Sequence, residues 1–411
     1  MMKTSITRRT LLSTAAALGA TTLLPRISAA NAEPFIIGVS ADMSGPYVDT
    51  TGPGQIVAAE MAVEDFGGKV LGRPVVIYSI DDQNKTDVAA ANARKWFDVD
   101  GVEAIVGGGN SAAAFAILNI AREAKRTFLV AGAGNPDFAG KESSPISTQW
   151  AYDTFAQATA TGAYLSRDAS AKKWFFITTD YAFGHALERD TTQVVMNSGG
   201  DVAGSVRVPL GTADFSSLLL QAQASGADVI GFAVAGQDLV NALKQAGEFG
   251  IGPDANGQQL AGLSLFSSDL PGLGLETARG LIASESFYWA RNDQTRAWSK
   301  RFFERRPRRI PNMLHAGVYS AVLHYLKSVE ALGNTDAIAV NTHMRETPVN
   351  DFNNTDVRIR DDGRVMNPMY VLRVKRPDQV TEEFDVQEIL GVVAPETAFR
   401  SRDASGCEIR T

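Results

Sequence analysis

The sequence predicts an α/β protein built from two doubly wound lobes. Three observations carry that expectation. Short apolar runs of strand type alternate with segments of helical periodicity along most of the chain. The alternation restarts after Asp153. No low-complexity linker separates the two halves, so short crossings, rather than a flexible tether, join them.

The elements follow in order. Phe35–Val39 is an apolar strand ending in the turn Met43-Ser44-Gly45-Pro46. Ile56, Ala59, Val63 and Phe66 recur on one face of a helix, which Gly67-Gly68 stops. Val75–Ile80 is a strand closed by Asp81-Asp82, which we read as turn and capping residues. A helix over 87–98, a strand Val102–Val106, a helix over 111–124 and a strand Phe128–Val130 complete a βαβ series. That order implies a parallel sheet with right-handed crossovers. In the second unit the expected strands are Trp174–Thr179, Val202–Val208 and Val229–Ala233. Helices are expected from 183 or 184, over 214–225 and over 237–249. The remainder should hold helices near 293–305, 312–331 and 336–345 and strands Val357–Ile359 and Met369–Val374.

The first 32 residues differ in kind. Lys3, Arg8 and Arg9 precede an apolar run from Leu11 to Leu24, and no acid occurs before Glu33. Ala30-Asn31-Ala32 offers a cleavage site, so residues 1–32 read as a secretory signal cleaved after Ala32. Arg8-Arg9 within Thr7-Arg8-Arg9-Thr10-Leu11-Leu12 points to twin-arginine export; the alternative is an ordinary signal with two basic residues. No cysteine sits at the cleavage site to take a lipid. The mature chain keeps 35 of the 39 Lys and Arg against 46 acids, a net charge of −11. Such an acidic chain is a poor partner for nucleic acid. Its one basic cluster, Arg305-Arg306-Pro307-Arg308-Arg309, reads as a helix end or a partner contact. The single cysteine, Cys407, permits no internal disulfide and no cysteine-based metal cluster, and no cofactor is expected.

In open α/β sheets ligands sit beyond the carboxyl ends of the strands. Gly107-Gly108-Gly109-Asn110-Ser111 follows one such end. Its glycines let a ligand approach the backbone, and Ser111 is placed either to cap the next helix or to hold a carboxylate. Ala131-Gly132-Ala133-Gly134-Asn135-Pro136 follows another, either as a binding loop or as a tight connection. Asp180-Tyr181-Ala182-Phe183-Gly184 places aromatics that either close over a ligand or pack in the core. Catalytic patterns are absent. Ser111 lacks the second glycine of a G-x-S-x-G elbow, and the four histidines have no H-E-x-x-H spacing. The glycine run has no phosphate-loop lysine, and Gly38-Val39-Ser40 begins no dinucleotide fingerprint.

Taken together these segments resemble the Leu/Ile/Val-binding family of type I periplasmic binding proteins, which serve ABC importers. The resemblance rests on Phe35–Val39 running into Met43-Ser44-Gly45-Pro46, Val76–Gln83, Gly101–Gly107, Asn135-Pro136, Asp214-Phe215-Ser216, and the strand pair around Asp362-Gly363 and Tyr370–Val374. It implies two Rossmann-like lobes joined by a three-crossing hinge, closing on a small-molecule ligand. By that analogy lobe one is 33–152 plus about 283–345, and lobe two 153–282 plus about 346–411. It also implies a monomer that delivers its ligand to an inner-membrane ABC permease and catalyses nothing. The implied ligand-binding residues are Tyr47, Asn110, Ser111, Gly132, Ala133, Gly134, Tyr181, Phe183, Gln237 and Asp269.

Amino-acid binders of this family carry Thr where this chain has Gly134 and Tyr where it has Phe183. Their acid for the α-ammonium falls near Leu263 to Phe266, where this chain has none; Asp269 is the nearest. Ser267–Asp269, Leu273–Gly280 and Phe287-Tyr288-Trp289 look like a subgroup linked to aromatic carboxylates, for which Tyr47, Tyr181, Phe183, Phe266 and Trp289 would supply stacking faces. The competing functions are an exported α/β hydrolase and a free-standing ligand sensor of the same fold.

Overall fold

The computed structural model describes residues 33–168, 171–252 and 254–409. The secretory signal, its twin-arginine pair and its cleavage site lie outside the described residues.

The first sheet holds β1 (Phe35–Ala41), β2 (Lys69–Val70), β3 (Arg73–Asp81), β4 (Val102–Gly107), β5 (Thr127–Val130) and β6 (Ser147–Gln149), in the order β2-β3-β1-β4-β5-β6. Every pairing is parallel except the β2–β3 hairpin. β1 and β4 are buried throughout, as their unbroken apolar runs require of central parallel strands. Gly38 is needed at the centre of β1 because a Cβ there would lie 2.5 Å from the Trp96 ring. Helix Gly52–Phe66 ends as its glycine pair predicts: Gly67 adopts φ 107°, and Gly67 and Gly68 donate back to Glu64 and Val63.

The second sheet holds β7 (Lys173–Thr179), β8 (Asp201–Val208), β9 (Val229–Ala235) and β10 (Gln259–Ser264), all parallel, in the order β10-β9-β7-β8. The two parallel sheets are the cores of the two lobes. Strand order reverses between β1 and β4 in one and between β7 and β9 in the other, which is where a crevice opens in a doubly wound sheet. A third, antiparallel sheet joins β11 (Ile282–Glu285), β12 (Met369–Val374) and β13 (Gln387–Val393), with β12 in the middle.

Helix Met313–Leu332 is buried along nearly its whole length and packs on helix Gly52–Phe66; its Tyr325 ring meets Phe35 of β1 at 6.2 Å. The basic cluster is tied down beside it. Arg305 pairs with Glu64 and Arg309 with Asp49, and Arg301, one turn before the cluster, pairs with Asp65. The expected strand Val357–Ile359 does not form. Its residues make only isolated bridges, Val349↔Val357 and Ile359↔Val365, because the sharply turned chain around Arg360–Arg364 offers no longer partner. Gln149 of β6 bridges to Arg364, so this segment lies along the edge of the first sheet. Near β11, Thr161 donates to Ser284, which donates to Gln157, a buried polar chain linking two distant segments.

Candidate functional site

The crevice between the sheets is built by loops that leave the carboxyl ends of the strands. After β1, the buried Asp42 carboxylate accepts from the amides of Ser44, Gly45 and Tyr47, curling the loop so that the Tyr47 ring faces inward. Asp81 and Asp82 support this loop. Asp81 accepts from the amide of Met43 and the hydroxyl of Ser44, and Asp82 from the hydroxyl of Ser40, so both serve as turn residues. After β4, Gly107 and Gly108 take φ 109° and 76°. A Cβ on Gly107 would stand 2.4 Å from the Ser40 carbonyl, so only glycine lets the β1 and β4 ends lie this close. The β5 loop stacks upon this one, with Gly132 against Gly108 and Gly109.

A small cavity of about 10 Å³, room for a single water, lies here, lined by Tyr47, Thr50, Thr51, Gly109, Gly132, Tyr152 and Leu314 from one side. Tyr181, Phe183, Ala235 and Phe266 line the other. The lining therefore draws on the ends of β1, β4, β5, β6, β7, β9 and β10. The Tyr47 and Tyr181 hydroxyls meet at 2.5 Å. Tyr181 stacks on Phe183 with centroids 6.0 Å apart. Burial, first of all, raises the Tyr47, Tyr152 and Tyr181 phenols well above their ordinary range, so all three are neutral O–H groups. Among the described residues no Lys, Arg, Asp or Glu belongs to the lining.

Of the residues expected from sequence, Tyr47, Gly132, Tyr181 and Phe183 line the cavity. Ser111 does not cap its helix. Asn110 does so, its side-chain oxygen accepting from the amides of Ala112 and Ala113, because the chain leaves extended geometry at 110 rather than 111. Ser111 stands on the first turn beside the lining residue Gly109, its hydroxyl buried and without a hydrogen-bond partner. Asn110 is thus occupied by the cap. Ala133 is buried behind the lining, its carbonyl accepting from Gln149. Gly134 is covered by the Tyr152 ring.

Gln237 is corrected in one respect. Its side chain is exposed and pairs with Asn241, while its backbone amide donates to the Pro46 carbonyl across the crevice at 2.8 Å. Asp269 lies behind the lining. Its carboxylate accepts from the Phe266 amide at 2.9 Å and the Thr50 hydroxyl at 3.4 Å, and burial raises it to about 7. Trp289 packs elsewhere, against Phe303 and under Arg296, and offers no stacking face here. Sequence reasoning did not assign Thr50, Thr51, Tyr152, Ala235 or Leu314 to the site. Tyr152 stands three residues beyond β6, and no local pattern marks it.

Comparison with known proteins decides the family. A family model described as periplasmic binding protein matches residues 34–379. The chain belongs to the periplasmic binding protein family. A crystal structure of a periplasmic binding protein from Burkholderia mallei is 41% identical, with a TM-score of 0.88, over 92% of this chain and 99% of that one. A branched chain amino acid ABC transporter periplasmic ligand-binding protein from Burkholderia xenovorans is 36% identical, with a TM-score of 0.79, over 91% and 99%. Leu/Ile/Val-binding protein homolog 6 of Brucella melitensis is 26% identical over 320 residues, 74% of this chain and 78% of that protein.

These relatives are binding proteins, and the family is an exported one. Among the described residues no helix is long and apolar enough to cross a membrane. The histidines of this periplasmic binding protein have other duties. His185 meets Asp180 at 2.8 Å near the surface. His315 accepts from the Asn312 amide, and burial lowers it to about 3. His324 meets the Met344 carbonyl. Among the described residues none of their rings hydrogen-bonds a serine, threonine or cysteine side chain.

Proposed function

We propose that this protein captures a small organic carboxylate between its lobes and presents it to an inner-membrane ABC permease. The observation that carries this reading is the Tyr47–Tyr181 contact over a cavity lined from both sheets. A guest that enters as these loops part touches both lobes at once, so binding favours the closed arrangement by its differential contacts. The buried Ser111 hydroxyl and the amino end of helix Ser111–Ala124 supply donors for an anionic group. The aromatic lining favours a flat or branched apolar body. The relatives' names point to branched-chain amino acids. An α-ammonium, however, would find no carboxylate in the lining, and burying it unpaired is costly. Aromatic carboxylates therefore fit this reading better than α-amino acids.

The hinge is proposed at three crossings, near 152–153, 282–283 and 345–346. Calorimetry and thermal shift against leucine, benzoate, 4-hydroxybenzoate and aliphatic amides test the reading. Saturable binding of a carboxylate with stabilisation is expected; no response to any of them would refute it.

A further inference from the structure

We propose that Gly134 and Tyr152 form a coupled pair that sets how large a ligand the crevice admits. The inference deepens the binding-protein reading above and rests on it. A Cβ built on Gly134 would lie 2.6 Å from Cζ of Tyr152, 2.7 Å from Cε2 and 2.7 Å from its hydroxyl oxygen. The backbone at 134 is not left-handed, so alanine is excluded there by the phenol and not by φ.

The ring has nowhere to retreat. It is 5% exposed and held edge-on by Phe266 at 5.6 Å and by Phe183 at 6.4 Å. Both of those rings line the cavity. Its backbone is pinned as well. Thr154 donates to the Gly134 carbonyl at 2.8 Å, and Asp153 caps the following helix through the Ala156 amide. The glycine thus makes room in the β5 loop for a phenol that comes from the β6 end. That phenol then forms the wall between this loop and the aromatics of the second sheet.

Removing the ring while keeping the glycine opens the wall. Adding a methyl at 134 while keeping the ring overfills it. A side chain at 134 and a ring at 152 are therefore alternative ways to end the same cavity, and the choice made here gives its end to the phenol. A longer acid needs the space that the phenol takes.

The test uses the wild type, Gly134→Ala, Tyr152→Ala and the double variant. Thermal unfolding of all four is read first, without ligand. Gly134→Ala is expected to lower Tm by several degrees in the wild type and to change it little in Tyr152→Ala, since contacting residues do not act additively. Additive shifts would overturn the pair. Calorimetry with benzoate and 3-phenylpropanoate is read second. Tyr152→Ala is expected to move the ratio of the two dissociation constants by about tenfold toward the longer acid, the scale of discrimination an apolar pocket reaches. A ratio unchanged within twofold would overturn the size role. So would failure of Tyr152→Ala to bind either acid while the wild type binds another small carboxylate. If the wild type binds nothing at all, the receptor reading fails, and the Tm cycle still decides the pair.

Discussion

The hydroxyls of Tyr47 and Tyr181 stand 2.5 Å apart, one carried by the loop after β1 and the other by the loop after β7. This is a bond between the two sheets' own loops, so in the proposed open–closed equilibrium it would form in the closed arrangement. Tyr181→Phe removes one hydroxyl and keeps the ring. The expected cost is about 0.5–1.5 kcal/mol of closure, the net worth of a neutral hydrogen bond. Calorimetry should show a correspondingly weaker ligand, while an unchanged affinity would show that the hydroxyl pair does not contribute.

Gly236 reports on closure more severely. It opens helix Gly236–Glu248 at φ 61°, and a Cβ there would sit 2.5 Å from the Pro46 carbonyl and 2.7 Å from the Tyr47 ring. Gly236→Ala should hold the lobes apart. Small-angle scattering with ligand present should then resemble the ligand-free wild type. Full compaction of the variant would refute this.

Asn110 and Ser111 separate stability from binding. Asn110→Ala removes the cap and should cost about 0.5–2 kcal/mol of stability. Ser111→Ala leaves the cap intact. It should weaken a carboxylate ligand by roughly 1–3 kcal/mol, the scale of a charge-assisted bond, with little change in Tm. The reverse pattern would mean that 111 serves the helix after all.

The buried acids predict a pH dependence. Burial raises Asp269 and Glu285 to about 7 in the folded chain, against about 4 when unfolded. Between those values the folded chain holds protons that the unfolded chain has released. Their contribution is therefore complete below the lower value and is lost as pH rises through the upper one. His315 acts in the opposite sense: held neutral by burial, it contributes above its unfolded value, and that contribution fades as pH falls toward 3. Glu285→Gln isolates one carboxyl. Its Tm relative to wild type should climb between pH 5 and pH 8, and a flat difference would contradict the assignment.

Much of the fold was legible because parallel strands buried on both faces leave unbroken apolar runs, as in β1, β4 and β9. Helices Asp293–Arg305, Met313–Leu332 and Ala337–Glu346 carried clear periodicity. The segment Val357–Ile359 misled because three β-prone residues do not make a strand unless a partner runs beside them. The cap at Asn110 was hidden for a different reason. Asn and Ser are both favoured caps, and only the tertiary course of β4 decides between neighbours. Tyr152 could not be read from local pattern, since its role depends on a glycine 18 residues earlier that the β5 and β6 loops bring under its ring.

The Thr161–Ser284–Gln157 chain bears on how the proposed lobes would move. It joins the segment just after one proposed crossing to the strand at another. Shearing them apart would strand three buried polar side chains without partners. In the proposed hinge these two straps would flex as a single leaf, which would turn closure into a swing about one line.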